Sequence, residues 1–201
     1  MSEKTDARIA RSKKLIYSAL LELMEEKGFD AITVGDITSR GGLNRGTFYL
    51  HYRDKYDLLE QYQQEVLGGL FKHMSKISPE MIAQHPSAET PPQIIQNIFE
   101  YIGDNSAFFR VMLGPKGDPA CVSMIRERLE SYMHSRFKEI QPAEGKELVP
   151  REYLIAYVSN ANLGVIQRWL TDGMTYSPQF VAGLVYRMAK YGPLQYTGIP
   201  F

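Results

Sequence analysis

A short run of side chains between residues 44 and 55 offers the most chemistry in this sequence. All of them carry hydrogen-bonding groups: Asn44, Arg45, Thr47, Tyr49, His51 and Lys55. Gly46 lies among them and, having no side chain, allows a helix start to approach another molecule closely. Guanidinium, amide and hydroxyl groups on one helical face suit the base edges and phosphates of nucleic acid. The run therefore indicates binding rather than catalysis.

Each of these side chains favours a particular contact. Arg45 is the best candidate for reading guanine, and Asn44 suits adenine. Tyr49, His51 and Lys55 suit contacts with phosphate oxygens. Backbone N–H groups at the helix start add to phosphate binding, and the helix dipole assists them.

The polar run lies on the second of two short helices joined by a glycine turn. Thr33, with an acidic residue three positions later, predicts a capped helix that continues to about Arg40. Gly41-Gly42 ends this helix and permits a tight turn, and Asn44 caps the next helix, which runs to about Tyr52. This arrangement is typical of a helix-turn-helix, whose second helix enters the major groove. On these features alone a second interpretation stays open, in which the hairpin is a packing element with a solvated polar face.

The amino-acid sequence of this segment resembles that of a known protein family. Residues 33–37 read TVGDI, and residues 42–58 read GLNRGTFYLHYRDKYDL. In type and spacing both are similar to the DNA-binding segment of TetR/AcrR-family regulators, over about Ile9 to Leu59. The resemblance implies three N-terminal helices that read DNA. It also implies a fourth helix that connects them to a larger helical domain for ligand binding and dimerisation.

By position, the resemblance implies roles for individual residues. Thr33 matches the phosphate-contacting cap of the second helix, and Lys55 matches the phosphate-contacting lysine. The matching recognition-helix contacts are Arg45, Gly46, Thr47, Tyr49 and His51. Phe48 and Tyr52 occupy the family's aromatic core positions. The sequence departs at Thr38 and Gly41, where alanine is usual, and Gly41 is expected to loosen the end of the second helix.

The hydrophobic pattern of the whole chain predicts only helices. Apolar residues recur at helical spacing from about Asp6 to Lys27, from Lys55 to Met74, and in several later stretches. The proline-containing segment 78–92 is predicted to be a loop or linker. No β-alternation persists, so the sequence predicts an all-α fold of about nine helices. Residues 1–53 are predicted to form a helix-turn-helix DNA-binding domain, and residues 54–201 a helical effector-binding and dimerisation domain.

Two helices near the C-terminus are predicted to form a dimer interface. Their apolar stripes consist of Leu154, Val158, Ala161, Val165 and Trp169, and of Phe180, Leu184 and Met188. In the resembled family such helices from two subunits form a four-helix bundle, and two DNA-reading heads must meet half-sites about 34–36 Å apart. The alternative, that the stripes face the chain's own core, stays open. Trp169 is expected to anchor packing rather than to contact a ligand.

Several aromatic residues, two flexible methionines and one polar asparagine on the predicted internal helices are candidates for an effector pocket. They are Phe99, Phe108, Phe109, Met112, Met124, Tyr132, Tyr157 and Asn160. An apolar cavity with a few polar groups is the default binding site in a protein of this kind. Each residue taken singly is better explained by core packing, and the sequence does not identify the effector.

Composition limits the other functional classes. The 23 basic and 23 acidic residues leave no net charge, although residues 1–55 hold 10 Lys/Arg against 8 Asp/Glu and so form a slightly basic head. The four histidines are scattered and Cys121 is the only cysteine, so no enzyme, metal site or cofactor is expected. The sequence has no apolar run long enough for a membrane span and no segment that resembles a signal peptide. Because the single cysteine excludes an intrachain disulfide, a reducing cytoplasm is expected.

The sequence as a whole predicts a homodimeric, ligand-responsive regulator that binds a palindromic operator in double-stranded DNA. Of the two modes of regulation, repression is the one predicted. The competing hypothesis is a DNA-binding architectural factor, or one controlled by a protein partner, on the same fold without a small-molecule ligand. An enclosed aromatic cavity would favour the first hypothesis. A filled core with an exposed apolar patch would favour the second.

Overall fold

The computed structural model describes residues 2–78, 81, 84–86, 90–137 and 149–192, and every regular element in these ranges is an α-helix, which confirms the all-α prediction. The helices are α1 (Ser2–Lys27), α2 (Val34–Arg40), α3 (Arg45–Tyr49), α4 (Lys55–Met74), α5 (Gln93–Asp104), α6 (Ser106–Met112), α7 (Pro119–Phe137), α8 (Arg151–Thr171) and α9 (Pro178–Tyr191). No helix within the described residues combines the length and the apolar character that a membrane crossing requires.

The end of α3 differs from the predicted boundary. The helix ends at Tyr49, and the N–H of His51 donates to the carbonyl of Phe48 at 2.9 Å, a bond across three residues that tightens the last turn. His51 therefore lies in the turn after α3 rather than within the helix, where the sequence pattern predicts it. The apolar spacing continues past the helix end because Tyr52 packs inward from the turn, where it is 2% exposed.

The chain divides into two compact units whose boundaries differ from the predicted domains at residues 53 and 54. Unit 1 comprises Met1–Gly68 and Ala107–Cys121, and unit 2 comprises Gly69–Ser106 and Val122–Phe201. Unit 1 therefore contains most of α4 and all but the first residue of α6, both of which follow the predicted DNA-binding domain in sequence.

The core of unit 1 is built from one face of α1 and the aromatic residues around α3. Its members are almost completely buried: Ile16, Leu20, Met24, Ile37, Phe48, Tyr52 and Leu58. The α1 residues recur at intervals of four, so they share one side of the helix. Phe48 and Tyr52 lie with ring centroids 5.6 Å apart, so the two aromatic rings pack close to each other within this core.

A later segment of the chain also packs into unit 1. Phe108 on α6 contacts the ring of Tyr62 on α4, with centroids 5.0 Å apart. Arg110 forms an ion pair with Glu25 at 2.8 Å, and the ammonium of Lys116 donates to the backbone carbonyls of Glu25 and Glu26. Lys116 thereby satisfies carbonyls in the last turn of α1, which the helix itself leaves unpaired.

Unit 2 is organised around the contact between α5 and the last two helices. Phe99 on α5 lies 6.1 Å from the ring of Trp169 on α8, and both side chains are buried. The indole N–H of Trp169 donates to the carbonyl of Tyr176 at 2.8 Å, which fixes the connection between α8 and α9. Tyr186 on α9 is buried in the same unit, at 1% exposure.

Candidate nucleic-acid interface

The first turn of α2 is held by reciprocal hydrogen bonds between Thr33 and Asp36. The hydroxyl of Thr33 accepts from the N–H of Asp36 at 3.1 Å, and the Asp36 carboxylate accepts from the N–H of Thr33 at 2.8 Å. The capping box predicted from the sequence is therefore present. The ammonium of Lys27 also donates to Asp36, at 2.9 Å, and these bonds, with that of Lys27 foremost, lower the pKa of the Asp36 carboxyl to about 2. Thr33 is thus an exposed but firmly positioned residue at the start of α2.

The turn between α2 and α3 is a Schellman motif. The N–H of Leu43 donates to the carbonyl of Thr38 at 2.8 Å, and the N–H of Gly42 donates to that of Ser39 at 3.2 Å. Gly42 has φ of +62°, a left-handed conformation that favours glycine. The end of α2 thus keeps its capping hydrogen bonds with glycine at position 41. The hydroxyl of Thr38 donates to the carbonyl of Val34, one turn earlier in the same helix.

The polar face of α3 lies outward and its aromatic face lies inward. Asn44, Arg45, Gly46 and Tyr49 are exposed, with Tyr49 at 58%, whereas Phe48 is completely buried. Thr47 and His51 are half-buried. The side-chain oxygen of Asn44 accepts from the N–H of Gly46 at 2.8 Å, so this oxygen caps α3 and the side-chain N–H₂ group is the donor that the cap does not use.

Arg45 differs from three neighbouring basic residues in having no acidic partner. Lys27 pairs with Asp36, and Arg53 pairs with Asp57 at 3.3 Å. Arg40 pairs with Glu26 at 2.8 Å and also contacts Glu22. No carboxylate among the described residues pairs with Arg45. Its guanidinium is therefore a cation that an anionic partner can neutralise.

Gly35 is a residue of this surface that sequence reasoning missed. A Cβ atom at Gly35 would lie 2.6 Å from Nη2 of Arg45, so the guanidinium rests against the first turn of α2 where a side chain is absent. This contact places Arg45 and the α2 cap, Thr33, on one continuous surface of unit 1. The only sequence signal is a glycine near a helix start, which is common in helices that make no such contact.

Lys55 makes internal contacts that the sequence did not predict. Its ammonium donates to the carbonyls of Phe29 and Asp30, at 3.1 and 2.9 Å, and lies 4.9 Å from the centre of the Phe29 ring. Two of its three N–H groups are thus used to tie the start of α4 to the connection between α1 and α2. The predicted phosphate contact would have to come from the remaining N–H.

Two family models match the chain over complementary segments. The model described as "Bacterial regulatory proteins, tetR family" matches residues 16–62, which contain the helix-turn-helix. The model described as "Transcriptional regulator C-terminal region" matches residues 89–191. The chain belongs to the TetR family of transcriptional regulators. Membership confirms the prediction of a DNA-binding regulator rather than an enzyme.

Individual relatives of this TetR-family chain agree with the assignment. It is 23% identical over 181 residues to the uncharacterized HTH-type transcriptional regulator YxbF of Bacillus subtilis, a match that covers 90% of this chain and 45% of YxbF. The chain therefore spans less than half the length of that curated relative. Among solved structures, a TetR transcriptional regulator from Streptococcus agalactiae has a TM-score of 0.58 at 21% identity, with 94% of this chain and 98% of the other covered. The transcriptional regulator FadR of Bacillus subtilis has a TM-score of 0.55 at 13% identity, with 89% and 98% covered.

The residues predicted for a dimer interface occupy different environments in unit 2. Leu154, Ala161 and Phe180 are exposed, and Val158, Val165, Leu184 and Met188 are half-buried. Trp169 is 5% exposed and packs against Phe99, so it has almost no surface to offer a second chain. This burial agrees with the packing role expected for Trp169 and removes it from the candidate interface. The exposed face of α8 also contains Tyr153 and Tyr157, of which the sequence pattern indicates only Tyr157, as a ligand candidate.

The residues predicted to contact a ligand are not gathered into one site. Phe108, Phe109 and Met112 fill the core of unit 1, and Phe99 fills the core of unit 2. Met124 and Tyr157 are exposed, and the Asn160 amide donates to the carbonyl of Ala156 on its own helix. Tyr132 is the only one of the eight that lines the cavity found in unit 2. Helical periodicity identifies which faces are apolar, but it does not distinguish a filled core from a cavity.

Proposed function

We propose that this TetR-family protein is a homodimeric repressor that binds a palindromic operator and responds to a small molecule. In this proposal the DNA contacts are made by Thr33, Asn44, Arg45, Gly46, Thr47, Tyr49, His51 and Lys55. A protein that acts on chromosomal DNA in a bacterium works in the cytoplasm, which is the location we propose.

The observation that carries the DNA-binding part is the outward polar face of α3 with an unpaired cation at its start. Arg45 has no acidic partner among the described residues, and Tyr49 is 58% exposed. The buried Phe48 and Tyr52 hold the opposite face in the core of unit 1. An arginine at the first position of a recognition helix is placed to reach a base edge when the helix lies in the major groove.

The proposed dimer is supported by the exposed apolar surface of α8 and α9. Tyr153 and Tyr157 are 72% and 56% exposed one turn apart on α8, and Phe180 on α9 is 46% exposed. Tyr176 stacks on Phe180, with ring centroids 4.6 Å apart. Exposed clusters of large apolar residues commonly mark protein interfaces, and tyrosine is enriched at such interfaces. A two-fold dimer also matches the symmetry of a palindromic operator.

Two observations support a small-molecule effector. Unit 2 contains a half-open cavity of about 250 Å³ between α4 and α7. The similarly folded FadR of Bacillus subtilis was solved in complex with stearoyl-CoA. In the proposal, a ligand in unit 2 shifts the population of the dimer away from the form that fits the operator. A protein partner on the exposed surface of α8 is the competing route of control.

Selection of duplexes from a random pool, followed by anisotropy titration, tests the DNA-binding proposal. Arg45→Ala should lose about 1–3 kcal/mol on the selected duplex if Arg45 makes a bidentate base contact, and much less on a scrambled one. Arg168→Ala removes the same charge from an exposed position on α8 and serves as the control, with no expected change. Selection of no consensus, or equal losses on both duplexes, would contradict base reading by Arg45.

A further inference from the structure

The cavity in unit 2 has a chemically distinct lining. Seven side chains surround it: Phe71, Met74, Ser75, Arg128, Ser131, Tyr132 and Ser135. Phe71 and Met74 lie in the last turn of α4, and Ser75 follows it directly. The other four recur on α7 at intervals of three and four residues, so they share one face of that helix. The volume of about 250 Å³ is slightly below the range of about 300–1,000 Å³ that is usual for ligand pockets. The cavity therefore suits a small molecule.

The only charge in this lining is positive. Arg128 lies with its guanidinium 5.6 Å from the centre of the Phe71 ring, a cation–π contact between two side chains of the lining. No carboxylate lines the cavity, and none among the described residues pairs with Arg128. By contrast, Arg110 and Arg168 form ion pairs at 2.8 and 2.7 Å. Arg128 is thus a cation in contact with an aromatic ring and without an ion pair among the described residues.

Four side chains of the lining carry hydroxyl groups, and three of these hydroxyls donate to backbone carbonyls. Ser75 donates to the carbonyl of Lys72, Ser135 donates to that of Tyr132, and Tyr132 itself donates to the carbonyl of Ile77. Ser131 lies three residues after Arg128 on the same face of α7, and both side chains line the cavity. Phe71 and Met74 supply an apolar floor, since Met74 is 9% exposed.

We infer that this cavity binds a small amphiphilic anion, with its carboxylate or phosphate on Arg128 and Ser131 and its apolar part on Phe71 and Met74. A guanidinium presents paired N–H groups that match the two oxygens of either anionic group. A cationic molecule is disfavoured because the lining offers no negative charge to receive it. The inference rests on the proposed effector-responsive function and specifies the chemical class of the effector.

The test uses four aromatic probes of nearly equal size that differ in charge. Benzoate and phenyl phosphate carry the two anionic groups, benzamide is neutral, and benzylamine is cationic. Binding to the full chain is measured by calorimetry or by NMR shifts at millimolar probe concentrations. We expect at least one anion to bind no less than fivefold more tightly than benzamide, and benzylamine not to bind. The relative affinities of benzoate and phenyl phosphate then distinguish a carboxylate from a phosphate ligand.

Arg128→Gln is the decisive variant, and Arg126→Gln is its matched control on the same helix. Arg126 lies outside the lining and donates only weakly to Ser123, at 3.4 Å. Arg128→Gln should weaken the anion at least fivefold, while Arg126→Gln should leave its affinity unchanged. Both variants should keep the melting temperature of the parent chain, because Arg128 is exposed and the half-buried Arg126 makes only the long bond to Ser123. A Ser131→Leu variant, which fills the cavity without changing charge, should also lose the anion.

Several outcomes would overturn the inference. They are equal binding of the anion to the parent chain and to Arg128→Gln, equal binding of benzamide and benzoate, and absence of binding by all four probes. Titration of the same samples with the selected duplex separates these failures from failure of the proposed function. If the parent chain binds the duplex and no anion binds, the effector class is wrong and DNA binding stands. If no duplex is bound, the proposed function itself fails.

Discussion

Replacement of Gly42 by alanine tests whether the turn before α3 has the left-handed geometry described above. Gly42 has φ of +62°, and a Cβ atom there would meet nothing within 4 Å, so the cost is backbone strain without a clash. A left-handed conformation costs an alanine about 1–2 kcal/mol. The lower entropy of the unfolded alanine chain offsets about 0.4–1 kcal/mol of this. Gly42→Ala should therefore destabilise the protein by about 1 kcal/mol, which lowers the melting temperature by about 2–4 °C for a chain of this size.

Gly68 provides a control with the same chemical change and the opposite expected sign. It lies within α4, and a Cβ atom there also meets nothing within 4 Å. Alanine is favoured over glycine in a helix interior by about 0.5–1 kcal/mol, so Gly68→Ala should raise the melting temperature. Urea and thermal melts of the two variants followed by circular dichroism measure both effects. A Gly42→Ala variant as stable as the parent chain would show that the turn does not need a left-handed residue.

Four further substitutions test contacts in the proposed DNA-binding surface and in the proposed dimer. Gly35→Ala should displace the Arg45 guanidinium and weaken binding to the selected duplex by about fivefold, equivalent to ~1 kcal/mol. Thermal stability should be kept or raised, because only the flexible end of the Arg45 side chain must move. Unchanged affinity in the anisotropy titration would argue against this contact. Asp36→Asn should lower the melting temperature most above about pH 4, and its difference from the parent chain should shrink as the pH falls toward 2. The reason is that the pKa of Asp36 is lowered in the folded state, so the stabilisation by its carboxylate is lost on protonation. A difference in melting temperature that is constant with pH would refute this. Phe180→Asp should weaken the dimer in sedimentation measurements, because Phe180 is exposed on α9. Trp169→Phe should leave the dimer intact but lower the free energy of unfolding by about 1–2 kcal/mol, because the hydrogen bond to the carbonyl of Tyr176 is lost. The reverse pattern would place Trp169 in the interface.

The elements around α2 and α3 could be predicted from the sequence because their determinants are local. Thr33 and Asp36 are three residues apart and cap the helix through their own side chains, and Gly42 is a glycine where the backbone requires one. The burial of Phe48 and Tyr52 agrees with the core positions that the family resemblance implies for them. The position of His51 within α3 was predicted wrongly, because the tightening of the last turn leaves no mark on the apolar pattern.

Features that depend on contacts distant in sequence could not be predicted. The ammonium of Lys55 binds carbonyls 25 and 26 residues earlier in the chain, and the guanidinium of Arg45 rests on Gly35 ten residues before it. Phe108, Phe109 and Met112 have the composition of a ligand pocket but fill the core of unit 1. Arg128, which we assign to ligand binding, is an ordinary charged residue on an amphipathic helix until the approach of Phe71 is known.

Photo-crosslinking from Tyr49 tests most directly the claim that the outer face of α3 binds DNA. A benzophenone amino acid replaces Tyr49, which is 58% exposed, or Tyr176, which is 59% exposed and precedes α9. We predict efficient crosslinking to the selected duplex from position 49, mapped to bases or phosphates within each half-site, and none above background from position 176. Equal yields from the two positions, or no adduct from position 49 on a duplex that the protein demonstrably binds, would contradict the claim.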